Sequence, residues 1–340
     1  MEIFFIFLFL LILYLLFIVI INRAKISNEK ISILNKAKNA PNSLSNKISI
    51  TVWNIGYAGL GENSDFVTDG GKSHFAPSSN EVKENLKAIK TTLLELNSDI
   101  YLLQEVSDKS PLSFWVSVRS SILKIFPSYL ALFRADIASI GLPWPFRVNH
   151  GVLTLANAKN ISTNVITLPH EPTLIAGLLH RRYGLLVSRF SIKNSSKQWV
   201  IVNLHLAAFD ENGATRQEQF DTVFDFAKSE YKKGNYVVLG GDWNMELHKT
   251  NFPHTTAEKY LFWKIPFPKQ RLPKDWQISI DKKIPTVRSN HKPYIKGENY
   301  TAIIDGFIVS PNVKTKAANT LDINFKHTDH QPVSTSFSTK

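Results

Sequence analysis

Apolar runs of β-strand length recur along this chain, and one after another they end in an acid, an amide or an imidazole. Residues 47–52 set Ile48, Ile50 and Val52 against Ser49 and Thr51, and Asn54 follows on the apolar side. DIYLLQEV ends in Gln104 and Glu105, and VIVNLHL carries His205. YVVLGGDWNM breaks into Gly240, Gly241, Asp242 and Asn244, AIIDGF holds Asp305, and Asp329 and His330 stand just ahead of PVSTSFS. Apolar strands must bury at least one face, so a succession of them predicts stacked sheets. Singly, each polar residue has a plain explanation. Asn54, Asp305-Gly306 and LGGDWNM could be turns, Glu105 a strand end or helix cap, His205 a core histidine, and Asp329-His330 a surface loop. Taken together, they are what a hydrolytic site built on rigid strand ends requires.

Helices are interleaved with the strands. Ser78 and Glu81 have capping-box spacing, and Val82, Leu86, Ile89, Leu93 and Leu96 then recur at helical period. A second helix is expected over residues 111–126. A third, from about Thr215, turns Phe220, Val223, Phe224, Ala227 and Tyr231 inward and stops near Gly234. Further strands are expected over residues 151–155, 183–192 and 198–205. Strands outnumber helices within one chain and no repeat is present, which predicts an α/β or α+β layered architecture.

The N-terminus is of another kind. Residues 3–21 read IFFIFLFLLILYLLFIVII, with no charge, glycine or proline, long enough to cross a hydrocarbon core of about 30 Å. A single-pass anchor over residues 1–22 is expected; acidic Glu2 and the lack of an A-x-A-like site argue against a cleaved signal peptide. Arg23, Lys25, Lys30, Lys36 and Lys38 follow it, within a polar tether expected over residues 23–46. Positive-inside bias favours the cytoplasmic side without deciding it. The catalytic domain then occupies residues 47–340. The absence of cysteine excludes disulfides, cysteine-ligated zinc and thiol nucleophiles. Carboxylate and amide oxygens suit Mg²⁺ or Mn²⁺, and a net charge of +12 favours anionic partners.

The motifs WNIGY, LLQEV, VNLHLAAFD, GGDWN, IDGF and TDHQPV, in that order, resemble those of the endonuclease/exonuclease/phosphatase superfamily. Its members include deoxyribonuclease I, abasic-site endonucleases, neutral sphingomyelinases and inositol-polyphosphate 5-phosphatases. The resemblance implies a deoxyribonuclease I-like, four-layer α/β/β/α sandwich, here in a membrane-anchored bacterial-type form. It implies metal ligation by Asn54, Glu105 and Asp329, and an attacking water oriented or deprotonated by Asp242. Asn244 and His205 would hold phosphate oxygens, and His330, oriented by Asp305, would stabilise charge or act as the acid-base partner. Arg182 in HRRYGLLV is expected to contact phosphate; Thr286 and Arg288 in PTVR are expected at the mouth of the site. The loop ENSDFVTDGGKS has a counterpart in membrane-anchored bacterial members but no implied role. The expected activity is a metal-dependent phosphoesterase, nuclease-like first, acting as a monomer. A phosphodiesterase for lipid headgroups or a phosphatase for inositol phosphates is the alternative, supported by the anchor and by the apolar IGLPWPF. A non-catalytic, basic, membrane-tethered binding module is a third.

Overall fold

The computed structural model describes residues 2–24, 30–139, 141–170, 181–208 and 210–340. The helices are α1 (Glu2–Ala24), α2 (Ser79–Leu96), α3 (Val118–Ile125) and α4 (Ala214–Lys232). The strands are β1 (Ile31–Lys36), β2 (Lys47–Asn54), β3 (Ile100–Ser107), β4 (Leu130–Ala138), β5 (Asn149–Ala156), β6 (Ser162–Thr167), β7 (Gly184–Ser191) and β8 (Gln198–His205). They continue as β9 (Tyr236–Asp242), β10 (Gln277–Ser279), β11 (Val287–Arg288), β12 (Thr301–Ala302), β13 (Asp305–Val309), β14 (Val313–Thr315), β15 (Asn319–Thr320) and β16 (Val333–Thr339). The first sheet runs β1-β4-β5-β3-β2-β16-β14, with β15 on β16, and the second runs β10-β13-β9-β8-β7-β6.

Three apolar clusters make this a four-layer α/β/β/α sandwich. Ile48, Ile50, Val52, Ile100 and Leu102 of the first sheet meet Leu186, Phe190, Trp199, Ile201, Val238 and Phe307 of the second. The outer face of the first sheet, with Trp53, Tyr101 and Leu103, is covered by Val82, Leu86, Ile89 and Leu93 of α2 and Ile122 of α3. That of the second, with Val200, Val202 and Val237, is covered by Phe220, Val223, Phe224 and Ala227 of α4. Burial on both faces explains why these strands read as continuous apolar runs.

Several elements differ from expectation. The helix expected over residues 111–126 is a 3₁₀ turn, Pro111–Ser113, followed by the shorter α3, because Phe114 and Trp115 take left-handed backbone angles between them. Residues 31–36, inside the expected tether, form β1, which pairs with β4 along one edge of the sheet. Residues 25–29 of that tether lie outside the described residues, as do Ile140 of IGLPWPF, His180 of HRRYGLLV and Phe209 of VNLHLAAFD. The run TAIIDGFIVS splits: β12 pairs with β11 in a small separate ribbon, and β13 pairs with β9 and β10.

Candidate active site

Register alone assembles half of the site. In the second sheet Asp305 on β13 lies opposite Asp242 on β9, and Asp242 lies beside His205 on β8. One rung therefore carries Asp305, Asp242 and His205 side by side. In the first sheet β2 ends at Asn54, paired with Gln104 of β3, so Glu105 comes next, and Asp329 and His330 stand just ahead of β16, with Gln331 and Pro332 between. Stacking of the sheets brings these ends together.

The glycines of LGGDWNM have separate tasks. Gly240 faces the other sheet, and a Cβ on it would come within 2.9 Å of Leu102 of that sheet and of Phe307, its neighbour on β13. Gly241 has φ +148°, and a Cβ there would meet the Leu204 carbonyl oxygen at 2.0 Å. Glu105 sits on a bulge: β3 slips register against β5 between Leu103 and Val106, and Glu105 takes φ +53°. A bulge re-aims a side chain, and here it turns the carboxylate into the cleft.

The contacts follow from this placement. Asn54 Nδ2 donates to Asp242 Oδ2 at 3.1 Å and lies 3.5 Å from His330 Nε2. His330 Nδ1 donates to Asp305 Oδ2 at 2.9 Å, and its Nε2 is 3.8 Å from Asp242 Oδ2. His205 Nε2 is 3.5 Å from Asp242 Oδ2 and 3.9 Å from Glu105 Oε1. Asn244 turns at φ +49°, donates its backbone N–H to Asp242 Oδ1 at 2.9 Å and its Nδ2 to the Leu206 carbonyl at 2.8 Å. Asp329 Oδ2 accepts from Asn290 Nδ2 at 3.4 Å, and its Oδ1 lies 3.0 Å from where a Cβ of Gly56 would sit.

Arg182 is not at this cluster. It is buried with its Nη1 on the Ala138 carbonyl, whereas its neighbour Arg181 reaches Glu105 Oε1 at 3.2 Å and His205 Nε2 at 3.3 Å. Arg288 is 1% exposed, and its guanidinium donates to the Gly61 carbonyl (2.6 Å), Ser64 Oγ (2.9 Å) and Asn290 Oδ1 (2.9 Å). A fork so committed clamps the loop after WNIGY rather than facing substrate. Thr286 is likewise internal, its Oγ1 accepting from the backbone N–H groups of Ile304 and Asp305 at 3.0 Å each.

Burial sets the electrostatics. Asp242 is pushed up to about 7 by burial and then by Asp305, and Asp329 to about 6, chiefly by burial. Burial opposes a charge on His330, but Asp305 and Asp242 outweigh it and raise its pKa well above the usual imidazole value. Burial, then Arg181 and His330, hold His205 well below that value, so His205 is neutral and His330 charged near pH 7.

Other residues join from positions that carried no strand-end signal. Asp136 in mid-β4 places Oδ2 3.8 Å from His205 Nδ1. His150 and Tyr57 are buried with side-chain polar atoms lacking a hydrogen-bond partner, and their rings lie 6.2 Å apart. Asp69, in ENSDFVTDGGKS, feels Asp329, Arg288 and Glu105, and burial drives it up to about 7. No periodicity marks such residues, since each reaches the cleft from a loop or from the interior of a strand.

The donor set suits a hard divalent cation. Glu105, Asp242, Asp305 and Asp329 are hard oxygen donors around one cleft. Asp242, Asp305 and His330 offer ligand atoms within 4.8 Å of one another, a grouping different from Asn54, Glu105 and Asp329. The Asp305–His330 hydrogen bond accounts for the closeness of the first set without an ion. In the second set Asn54 Oδ1 accepts from the Gly56 N–H, and among the described residues Glu105 is held by Arg181 and the more distant His205.

No family model and no curated protein matches this sequence. Solved structures do match its fold. Truncated Caenorhabditis elegans TDP2 is 16% identical with a TM-score of 0.54, over 86% of this chain and 98% of that one. An endonuclease/exonuclease/phosphatase family protein from Leptotrichia buccalis is 12% identical with a TM-score of 0.56, over 86% and 99%. D. rerio TDP2 complexed with single-strand DNA product is 14% identical with a TM-score of 0.52, over 86% and 99%. The sandwich thus shares the fold of these solved structures, an endonuclease/exonuclease/phosphatase family protein among them.

Proposed function

We propose that this chain, folded as an endonuclease/exonuclease/phosphatase protein, is a divalent-metal-dependent phosphoesterase that hydrolyses a phosphodiester by in-line attack of water. One observation carries the reading. The rung Asp305–Asp242–His205 lies within hydrogen-bond or near-contact distance of Asn54, Glu105 and His330 across the sheet ends, and Asp329 couples electrostatically to His330 and Glu105. Asn54, Glu105 and Asp329 would hold Mg²⁺ or Mn²⁺, which when bound polarises a phosphoryl oxygen. Asp242, with a pKa near neutrality, orients the water and takes its proton. His205, neutral, donates an N–H to a non-bridging oxygen, and Asn244 holds a second. His330, kept charged by Asp305, neutralises charge that grows in the transition state. Arg181 stands where a substrate phosphate could exchange for its bond to Glu105.

A nuclease-like substrate is the first reading, supported by the net charge of +12 and by the fold shared with a TDP2 bound to single-strand DNA product. A lipid-headgroup phosphodiester is the second, supported by exposed Trp144 and Phe146 in a segment whose Gly141 touches the apolar α1. The deciding experiment offers plasmid DNA, RNA, sphingomyelin, phosphoinositides and bis(p-nitrophenyl) phosphate to the protein with Mg²⁺, with Mn²⁺ and after exhaustive EDTA. Turnover that depends on added metal is the expected result. Undiminished turnover in EDTA removes the mechanism, and no turnover of any phosphoester leaves the binding-module reading.

A further inference from the structure

We infer that residues 141–147, between β4 and β5, insert their aromatic tip into the surface of the same bilayer that α1 spans, so that the catalytic edge of the sandwich faces the membrane. This rests on reading α1 as a membrane anchor.

The first ground is exposure. Trp144 is 72% exposed and Phe146 63%, and they stand beside Trp115, which is 39% exposed. These rings have not collapsed onto the domain. Trp115 Nε1 donates to the Pro145 carbonyl at 2.8 Å, which braces the tip in its outward position. Large apolar side chains clustered in this way mark a surface that meets something other than water.

The second ground identifies what it meets. Tyr14 OH of α1 donates to the Gly141 carbonyl at 2.7 Å, and a Cβ on Gly141 would lie 3.4 Å from Ile18 Cγ1. Tyr14 and Ile18 are four apart and share one helix face. Around them the span has a mean hydropathy of 3.5 over Ile3–Ile20 and is exposed from Ile3 to Phe17, whereas Ile18 is 1% exposed and Val19 half-buried. At about 1.5 Å per residue, Tyr14 and Ile18 lie roughly 5–10 Å inside the end of the apolar run at Ile21. Interfacial segments bury their apolar side chains about 5–10 Å into the headgroup–acyl boundary, where tryptophan rings also gather. Exposed Arg147 adjoins the tip and can reach lipid phosphates.

The third ground links the tip to the chemistry. The two strands that lead into and out of this segment carry Asp136 and His150, which face His205 and Tyr57 in the cleft. A tip embedded beside α1 therefore turns the phosphoryl site towards the headgroup layer, and its substrate is a phosphoester met at the membrane surface.

The test uses full-length protein in phosphatidylcholine–phosphatidylglycerol vesicles. Flotation reports the anchor. Tryptophan emission is then compared between wild type and Trp144→Phe, with bromine on the upper acyl chain and acrylamide in the water as competing quenchers. The expected result is that Trp144→Phe removes a blue-shifted component that bromolipid quenches and acrylamide does not reach. Turnover of bis(p-nitrophenyl) phosphate should be unchanged in this variant, showing that it is folded. If the chain floats but the Trp144 emission is quenched by acrylamide and not by bromolipid, the inference is overturned while the anchor stands. If the chain does not float, anchor and inference fall together.

Discussion

Glu105 shows how much one residue can owe to a backbone irregularity. Its φ of +53° is uncommon for a non-glycine residue, and without the bulge its side chain would follow strand alternation away from the cleft. The two histidines make the sharpest residue-level forecast. His205→Ala and His330→Ala should each lower kcat on bis(p-nitrophenyl) phosphate by roughly 10²–10⁴. Asp305→Asn should reproduce part of the His330 loss, and the double histidine variant should fall short of the product of the two single effects. A near-normal kcat in His205→Ala would return His205 to the role of core histidine. His150 provides a test by stability. Burial, then Arg181, lowers its pKa to about 4, so the fold favours the neutral ring. Its contribution is complete above the unfolded value of about 6.5 and is lost as pH falls from there towards 4, with an upper bound of roughly 3 kcal/mol. Wild type should therefore lose more denaturant resistance than His150→Gln over that window. Equal losses would mean that His150 is not the group being titrated. Residue types at the strand ends were legible in the sequence. The choice of Arg181 over Arg182 was not, because both directions remain open until the chain before β7 is placed.

At the scale of elements, the loop after β2 and the insert before β12 form one unit through Arg288. The guanidinium bonds Gly61, Ser64 and Asn290, the Phe66 N–H donates to the Asn290 carbonyl at 2.6 Å, and Asn290 also touches Asp329. Truncating Arg288→Ala would strand these buried acceptors and should cost on the order of 3–5 kcal/mol, read as a drop in the urea midpoint. Arg288→Lys should recover little of it, because an ammonium cannot reproduce the planar fork. A stable Arg288→Ala protein with only KM raised would instead restore Arg288 as a substrate contact. Elements with strong periodicity could be read in advance: α2 begins where Ser78 Oγ accepts from the Glu81 N–H, and β8 spans the same residues as the expected strand. The edge strand β1 could not, since ISILNK is a short run within a polar stretch and none of its residues is fully buried, so its pairing with β4 leaves no clear apolar pattern.

For the whole molecule, α1 and the sandwich are separable in sequence, and no motif residue precedes Trp53. Removing residues 1–22 should yield a soluble domain with the turnover of the full chain, checked by fractionation and by bis(p-nitrophenyl) phosphate hydrolysis. Full-length protein that remains in the supernatant once membranes are pelleted would remove the anchor. By itself, the sequence determined the layered α/β class, the apolar span and the residue types of the cleft, because burial on two faces and the need for polar strand ends act locally. The tertiary structure decided which residues share the cleft. Register aligned Asp305, Asp242 and His205 on one rung, and sheet stacking set Asn54 and His330 against them. It also drew in Asp136, His150, Tyr57 and Arg181, and it gave Arg288 to the interior. Those assignments depend on contacts between residues far apart in the chain, and local periodicity carries no information about which distant partner a buried polar group will meet.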